Sequence, residues 1–253
     1  MFFQIIVKEN KEYEYSSFFD IDGTLYREGL ITEVFKKLVK YEVIPGERWY
    51  KEVKPEYEKW DKREGNYDNY LLKIAGIYIE AIKGLHRSQI EFIAKNVVSQ
   101  KGHRVYSYTR DMIKWHKEQG HKVITVSGSP VELVREMAVR YGFDDYVGAV
   151  YIIDSRDIYT GEVVPMWDSA SKKKAIELLV EKYGIDLAKS YAYGDTSGDF
   201  AMLNMVGNPV CVNPTRELLK KIKDNSVLSE KAKVIVERKD MIYKLETKCI
   251  NDI

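Results

Sequence analysis

Two carboxylates, Asp20 and Asp22, close the apolar stretch "SSFFDID" and are followed at once by Gly23-Thr24. Two more, Asp195 and Asp199, stand in "YGDTSGD", while Ser127 and Gly128 stand in "VSGSP". Acids gathered in one place repel and are costly to bury, so they need a proton or a cation between them. An all-oxygen set without His or Cys ligands suits Mg²⁺, a hard cation usually shared with a substrate phosphate. Ser127 offers a hydroxyl, and Gly128 lets a backbone N–H approach an anion ahead of the helix expected from about Pro130. Lys172, at the start of "SKKKAIELL", adds a positive charge. Acids, a divalent cation, hydrogen-bond donors and one lysine together make a phosphoryl-transfer site.

These residues can act together only if the chain brings them to one place. "SSFFDID", "KVITVS" and "SYAYGD" read as short strands, each ending in one of the polar motifs. Helices alternate with them: "TRDMIKWHKEQG" closed by Gly120, "PVELVREMAVRYG" closed by Gly142, "SKKKAIELLVEKYG", "DFAMLNMVG" and "RELLKKIKD". "PVCVN" and "KVIVE" read as the last strands, and "YVGAVYIID" with "IYTGEVV" as a small hairpin. Strands alternating with helices predict a Rossmann-like α/β fold, a parallel sheet covered on both faces with its functional edge at the carboxyl ends of the strands. Up to four carboxylates would meet there.

From about Leu30 to Val98 the pattern changes. "ITEVFKKLVKYEV", "YDNYLLKIAGIYIEAIKGL" and "SQIEFIAKNVV" repeat apolar residues three and four apart, as amphipathic helices do. The division expected is a catalytic core of residues 1–26 and 106–253 and a helical unit of residues 27–105. The opening "MFFQIIV" and "EYEY" read as a hairpin ahead of the core.

Composition narrows the partners. Forty Lys and Arg against 39 Asp and Glu leave a formal charge of +1, so no overall field favours nucleic acid or an anionic membrane. Two cysteines, Cys211 and Cys249, form neither a metal-ligand spacing nor a disulfide framework. Without a basic leader, a cleavage site or a membrane-length apolar run, the expectation is a soluble, cytoplasmic protein. The four histidines, His86, His103, His116 and His121, lack ligand spacing and read as surface or packing residues.

The sequence resembles the phosphatases of the haloacid dehalogenase superfamily. "DIDGT" matches the first motif in full, "VSGS" the serine motif, a lysine of "KKK" the lysine motif and "YGDTSGD" the acidic motif, in that order. The helical segment between the first two motifs is similar to the cap of the phosphoserine-phosphatase-like subgroup. The resemblance implies Asp20 as nucleophile and Asp22 as general acid and base, with Thr24 holding the loop. It implies Ser127, the Gly128 N–H and Lys172 as the phosphoryl grip. Magnesium would be held by Asp20, the Asp22 carbonyl, Asp195 and Asp199. Lys172 fits the subgroup's register to Asp195 best, Lys173 is the runner-up, and Lys174 is expected to face solvent.

The implied activity is hydrolysis of a small phosphorylated metabolite through an aspartyl-phosphate. Alternatives are phosphoserine as the specific substrate, transfer to another acceptor as in mutases, and a catalytically silent member that binds a ligand or partner. Three positions depart from the phosphoserine phosphatase pattern: Gly29 stands where a glutamate meets the substrate's ammonium, Ile74 where an arginine meets its carboxylate, and Gly198 where the acidic motif has asparagine. Glu28 stands one place before Gly29 and Lys73 is the basic residue nearest Ile74, while Glu28 and Arg27, just past the first motif, are candidates for substrate contact. Trp49, Tyr57, Trp60, Tyr67 and Tyr70 are expected to pack within the cap, with stacking on an organic substrate the lesser reading.

Overall fold

The computed structural model describes residues 15–65 and 67–250, so the expected N-terminal hairpin falls largely outside the described residues. Among the described residues, eight strands form one sheet: β1 (Ser16–Phe19), β2 (Lys122–Pro130), β3 (Asp145–Ile153), β4 (Tyr159–Val164), β5 (Tyr191–Gly194), β6 (Asn208–Val212), β7 (Lys233–Arg238) and β8 (Met241–Glu246). Their order is β4-β3-β2-β1-β5-β6-β7-β8. All neighbours are parallel except the two edge pairs, β3 with β4 and β7 with β8.

Side chains alternate along the strands, as the pleat requires, and so feed two apolar clusters. Phe18, Ile124, Ala192, Cys211 and Val234 face one side, beneath α8 (Ser169–Tyr183), α9 (Phe200–Met205), α10 (Arg216–Lys223) and α11 (Ser226–Lys231). Phe19, Val123, Tyr193, Val210 and Ile235 face the other, toward α6 (Ser107–Glu118) and α7 (Val131–Tyr141). Gly142 and Gly184 close α7 and α8 in the left-handed conformation, at φ 68° and 67°, where a glycine costs least.

Between β1 and α6 lie α1 (Leu30–Lys40), the short α2 (Gly46–Arg48) running through a π-turn into α3 (Lys54–Asp61), α4 (Tyr67–Ile82) and α5 (Arg87–Lys101). The chain enters and leaves this helical segment side by side. Arg27 N donates to Arg104 O at 3.0 Å, and Tyr106 N donates to Leu25 O at 2.9 Å. Leu30, Phe35, Ile74, Tyr78 and Val97 of the segment share one apolar cluster with Phe19, Val134 and Tyr151 of the sheet side. The helices are therefore packed onto the sheet rather than held apart from it.

Two sheet features differ from expectation. The hairpin β3–β4 is not a separate ribbon, because β3 also pairs in parallel with β2, Ile124 opposite Asp145. The last strand is β8 rather than β7, an edge strand with every residue exposed. Among the described residues, no helix is long and apolar enough to cross a membrane.

Candidate active site

The three central strands β2, β1 and β5 lie side by side, so their motif residues meet at one edge of the sheet. Asp20 follows β1 directly, and its N–H donates to Tyr193 O of β5 at 3.0 Å, which fixes its backbone. Asp195 follows β5 and Asp199 lies four residues on, in a 3₁₀ turn (Ser197–Asp199). Oxygens of Asp20, Asp195 and Asp199 lie within 4.8 Å of one another, and all three residues are buried. Lys172, in the first turn of α8, sends its ammonium between two of them: 2.6 Å to Asp20 Oδ1 and 2.5 Å to Asp199 Oδ1. Lys173 is exposed and sits 3.8 Å from Glu177.

Three carboxylates against one ammonium leave two negative charges in a buried space. Burial pushes the Asp20 carboxyl up to about 8, against the pull of Lys172 and with a further push from Asp199 and Asp22. Asp195 is driven well above the usual carboxylate range by burial, then by Asp199 and Asp20. Burial acts on Lys172 to disfavour its charge, but Asp199 and Asp20 together outweigh it and hold the ammonium firmly protonated. The donor set is oxygen alone, hard and anionic, with a deficit of two charges, and so fits a divalent cation such as Mg²⁺.

The expected fourth carboxylate does not join this group by its side chain. Asp22 Oδ1 accepts from the Leu30 N–H at the start of α1 at 2.7 Å, and Oδ2 accepts from the Ser129 hydroxyl at 2.5 Å. Burial raises its carboxyl above the usual range, while the bonds from Ser129 and Leu30 oppose the rise. Ser129 was not singled out by the sequence; its nearness to Asp22 arises only when β2 is laid beside β1. Ser127 is fully buried, and its Oγ accepts from the Ser129 N–H at 3.3 Å, whereas Gly128 and Ser129 line the cavity.

The surrounding loops are built by close approach. Gly23 has φ +83°, and a Cβ there would stand 2.0 Å from Asp195 Oδ2, so a side chain at this position would collide with the acid. A Cβ on Gly128 would meet Trp167 Cβ at 2.9 Å. The Thr24 hydroxyl donates to Asp195 Oδ1 at 3.0 Å, and Thr24 O accepts from Thr109 at 2.8 Å. Asp199 Oδ2 accepts from the N–H groups of Asp195 and Thr196 at 3.0 and 3.1 Å. Asp199 thus holds both the next acidic loop and the lysine.

Above the acids lies a cavity of about 380 Å³. Its far wall comes from α1 and α4, including Ile31, Tyr67, Leu71 and Ala75, and Trp167 closes one side. Of the five aromatic residues expected to pack in the helical segment, Tyr67 lines this cavity; Trp49, Tyr57, Trp60 and Tyr70 pack against one another and against Phe35 or Tyr67. Glu28 and Arg27 turn away from it. Glu28 pairs with Arg104 at 2.7 Å, and Arg27 Nε donates to Val105 O at 2.9 Å. His116 is packed beneath Phe19, as expected of a core histidine, bonded to Tyr193 and His121.

The haloacid dehalogenase-like hydrolase family model matches residues 17–204. A Streptomyces azureus protein named for inhibition of morphological differentiation is 28% identical over 205 residues, 80% of this chain and 73% of its own. A phosphoserine phosphatase of Mycobacterium tuberculosis is 31% identical over 117 residues, 46% of this chain; the chain spans only 37% of that protein's length. A solved phosphoserine phosphatase, captured as an analogue of its phospho-aspartyl intermediate, superposes with a TM-score of 0.58 at 22% identity, covering 90% of this chain and 96% of that one. The chain belongs to the haloacid dehalogenase-like hydrolases, and its α/β fold is the one the phosphoserine phosphatases share.

Proposed function

We propose that this chain is a magnesium-dependent phosphomonoesterase that hydrolyses a small phosphorylated metabolite through an aspartyl-phosphate on Asp20. The observation that carries the reading is the buried group of Asp20, Asp195 and Asp199 with Lys172 set between two of its members. Asp20, Asp195, Asp199 and the Asp22 carbonyl would hold Mg²⁺, which when bound neutralises the acids and the phosphoryl oxygens.

In the first step an Asp20 oxygen attacks phosphorus, the bond from phosphorus to the ester oxygen breaks, and Asp22 gives its proton to the departing alkoxide. Asp22 is suited to this because burial favours its protonated form at the start. In the second step Asp22 takes a proton from water, whose oxygen attacks phosphorus; the bond to Asp20 breaks, giving phosphate and the free carboxylate. Lys172 neutralises Asp20 and the growing charge on phosphorus, while the Gly128 N–H and the Ser127 hydroxyl orient the phosphoryl group.

Residues 27–105 act in this reading as a cap over the core of residues 15–26 and 106–250. It screens the first step from bulk water and admits one water for the second. The balanced charge argues against nucleic acid as substrate, and two free cysteines suit a cytoplasmic setting. The test is phosphate release by purified protein from a panel of phosphate monoesters, with Mg²⁺ and with chelator. Release that requires the metal is expected; phosphate retained on a second product would point to a transferase, and no reaction with any ester would leave a silent binder.

A further inference from the structure

Resting on the phosphatase reading above, we infer that the substrate is a phosphate monoester of an uncharged, apolar alcohol, and that an apolar slot between α1, α4 and Trp167 takes its carbon skeleton. The cavity has a polar side, with Ser129, Ser169, Thr196 and Ser197 beside the acids and Lys172, and an opposite apolar side of Ile31, Tyr67, Leu71, Leu72, Ala75 and Trp167. Leu72, 51% exposed, lies at the edge of this wall and also borders an outer surface hollow with Glu52 and Lys73.

On the α1 and α4 side of the cavity, among the described residues, no charged group is present of the kind an amino-acid ester would need. Gly29 offers no side chain to meet an ammonium, and Tyr67 Oη, Leu71 Cδ2 and Thr32 Oγ1 stand 3.3 Å from where its Cβ would lie. Ile74 is fully buried in the apolar cluster, and Lys73 reaches outward to Glu52 at 3.4 Å. Asp168, an exposed lining residue outside the α1 and α4 wall, caps α8 by accepting from the Ser171 N–H at 2.9 Å and the Ser171 hydroxyl at 2.6 Å. Lys221, an exposed lining residue on α10, forms a surface pair with Glu217 one turn away at 3.1 Å and lies outside the α1 and α4 wall. An ammonium and a carboxylate placed in the slot would lose their water against leucine and isoleucine without compensation. Methylene groups would gain from the same burial.

The test is a chain-length series in which the chemistry of the leaving group stays constant. Turnover of ethyl, butyl and hexyl phosphate and of phosphoserine is measured with Mg²⁺. Binding of the matching alkylphosphonates, which cannot be hydrolysed, is measured on the same protein by calorimetry. Each buried methylene is expected to raise kcat/KM, and to lower the phosphonate Kd, by about three- to fourfold. Phosphoserine should fall at least about tenfold below hexyl phosphate. Phosphonate affinity that climbs with chain length while no ester is turned over would support the slot and defeat the phosphatase reading. Turnover that is flat across the series, or best with phosphoserine, would overturn the slot and leave the phosphatase reading intact. Neither binding nor turnover would overturn both.

Discussion

The Lys172 ammonium meets the Asp20 carboxylate at 2.6 Å although the two residues stand 152 positions apart, and both side chains are almost wholly buried. The contact joins the first turn of α8 to the end of β1, and Asp199 completes it from the far side. An ion triad in this position is strongly coupled, because each member is desolvated and depends on the others for its charge.

Replacing Lys172 by Met should therefore act twice. Phosphatase activity should fall by about 10²- to 10³-fold, as loss of one electrostatic stabiliser typically does. Stability in chelator should fall by about 3–5 kcal/mol, since two buried carboxylates lose their partner. Lys173→Ala, at an exposed side chain, should alter neither. Denaturant titration and steady-state rates of the two variants would assign the lysine directly; equal effects would contradict the assignment.

The short bond from the Ser129 hydroxyl stabilises the charged form of Asp22. Ser129→Ala removes it, so the Asp22 carboxyl should move further up. The limb of the pH–rate profile that reports Asp22 should then shift to higher pH, with kcat reduced by about tenfold. A Ser129→Ala profile that overlays the parent would show that Asp22 is not the group seen in that limb.

Metal and pH should be linked in stability. Asp20 is an acid whose carboxyl is raised to about 8 on folding, so without metal the folded state binds more protons than the unfolded chain between about pH 4 and 8. Stability from this source is complete below pH 4 and is lost as pH rises toward 8. His116 works in the opposite sense at lower pH: burial, then His121, lowers it to about 3, so its contribution is lost as pH falls from about 6.5 to 3. The interval from pH 6.5 to 8 thus reports the acids. In chelator the Tm should drop across it, and Mg²⁺ should raise the Tm more at pH 8 than at pH 6.5. A Mg²⁺ effect of equal size at both would contradict the linkage.

Gly23→Ala should be more damaging than an ordinary loop substitution. The new Cβ would meet Asp195 Oδ2 at 2.0 Å in a left-handed turn, so Asp195 must shift or the turn must open. Mg²⁺ affinity, read from the metal dependence of Tm, should weaken by about tenfold or more.

The site was legible where chemistry and local pattern coincide. Short apolar strands ending in acids, serine or glycine marked Asp20, Ser127 and Asp195, and the parallel alternation placed those ends together. Signals that exist only between distant segments were lost. Ser129 is one of two serines around Gly128, and only the pairing of β2 with β1 turns it to Asp22. Trp167 precedes α8 with no periodicity of its own, yet it forms the wall against Gly128. Glu28 and Arg27 look well placed by sequence, and the crossing of the chain at Arg104 and Val105 draws them off. The edge strand β8, "MIYKLE", exposes all its residues and so lacks the one-sided apolar alternation that identifies a half-buried strand. The α2–α3 stretch is mostly charged, buries Val53 alone, and sets its aromatic residues Trp49, Tyr50, Tyr57 and Trp60 without a regular helical stripe to read.

The central claim is that Asp20 carries the phosphoryl group. The most direct measurement is rapid acid quench of protein turning over an ester labelled in the phosphoryl group, followed by peptide mapping of the trapped label. The account predicts label on the peptide containing Asp20, its accumulation in Asp22→Asn, where hydrolysis of the intermediate is slowed, and its absence in Asp20→Asn. Label on any other residue, or full activity in Asp20→Asn, would contradict it.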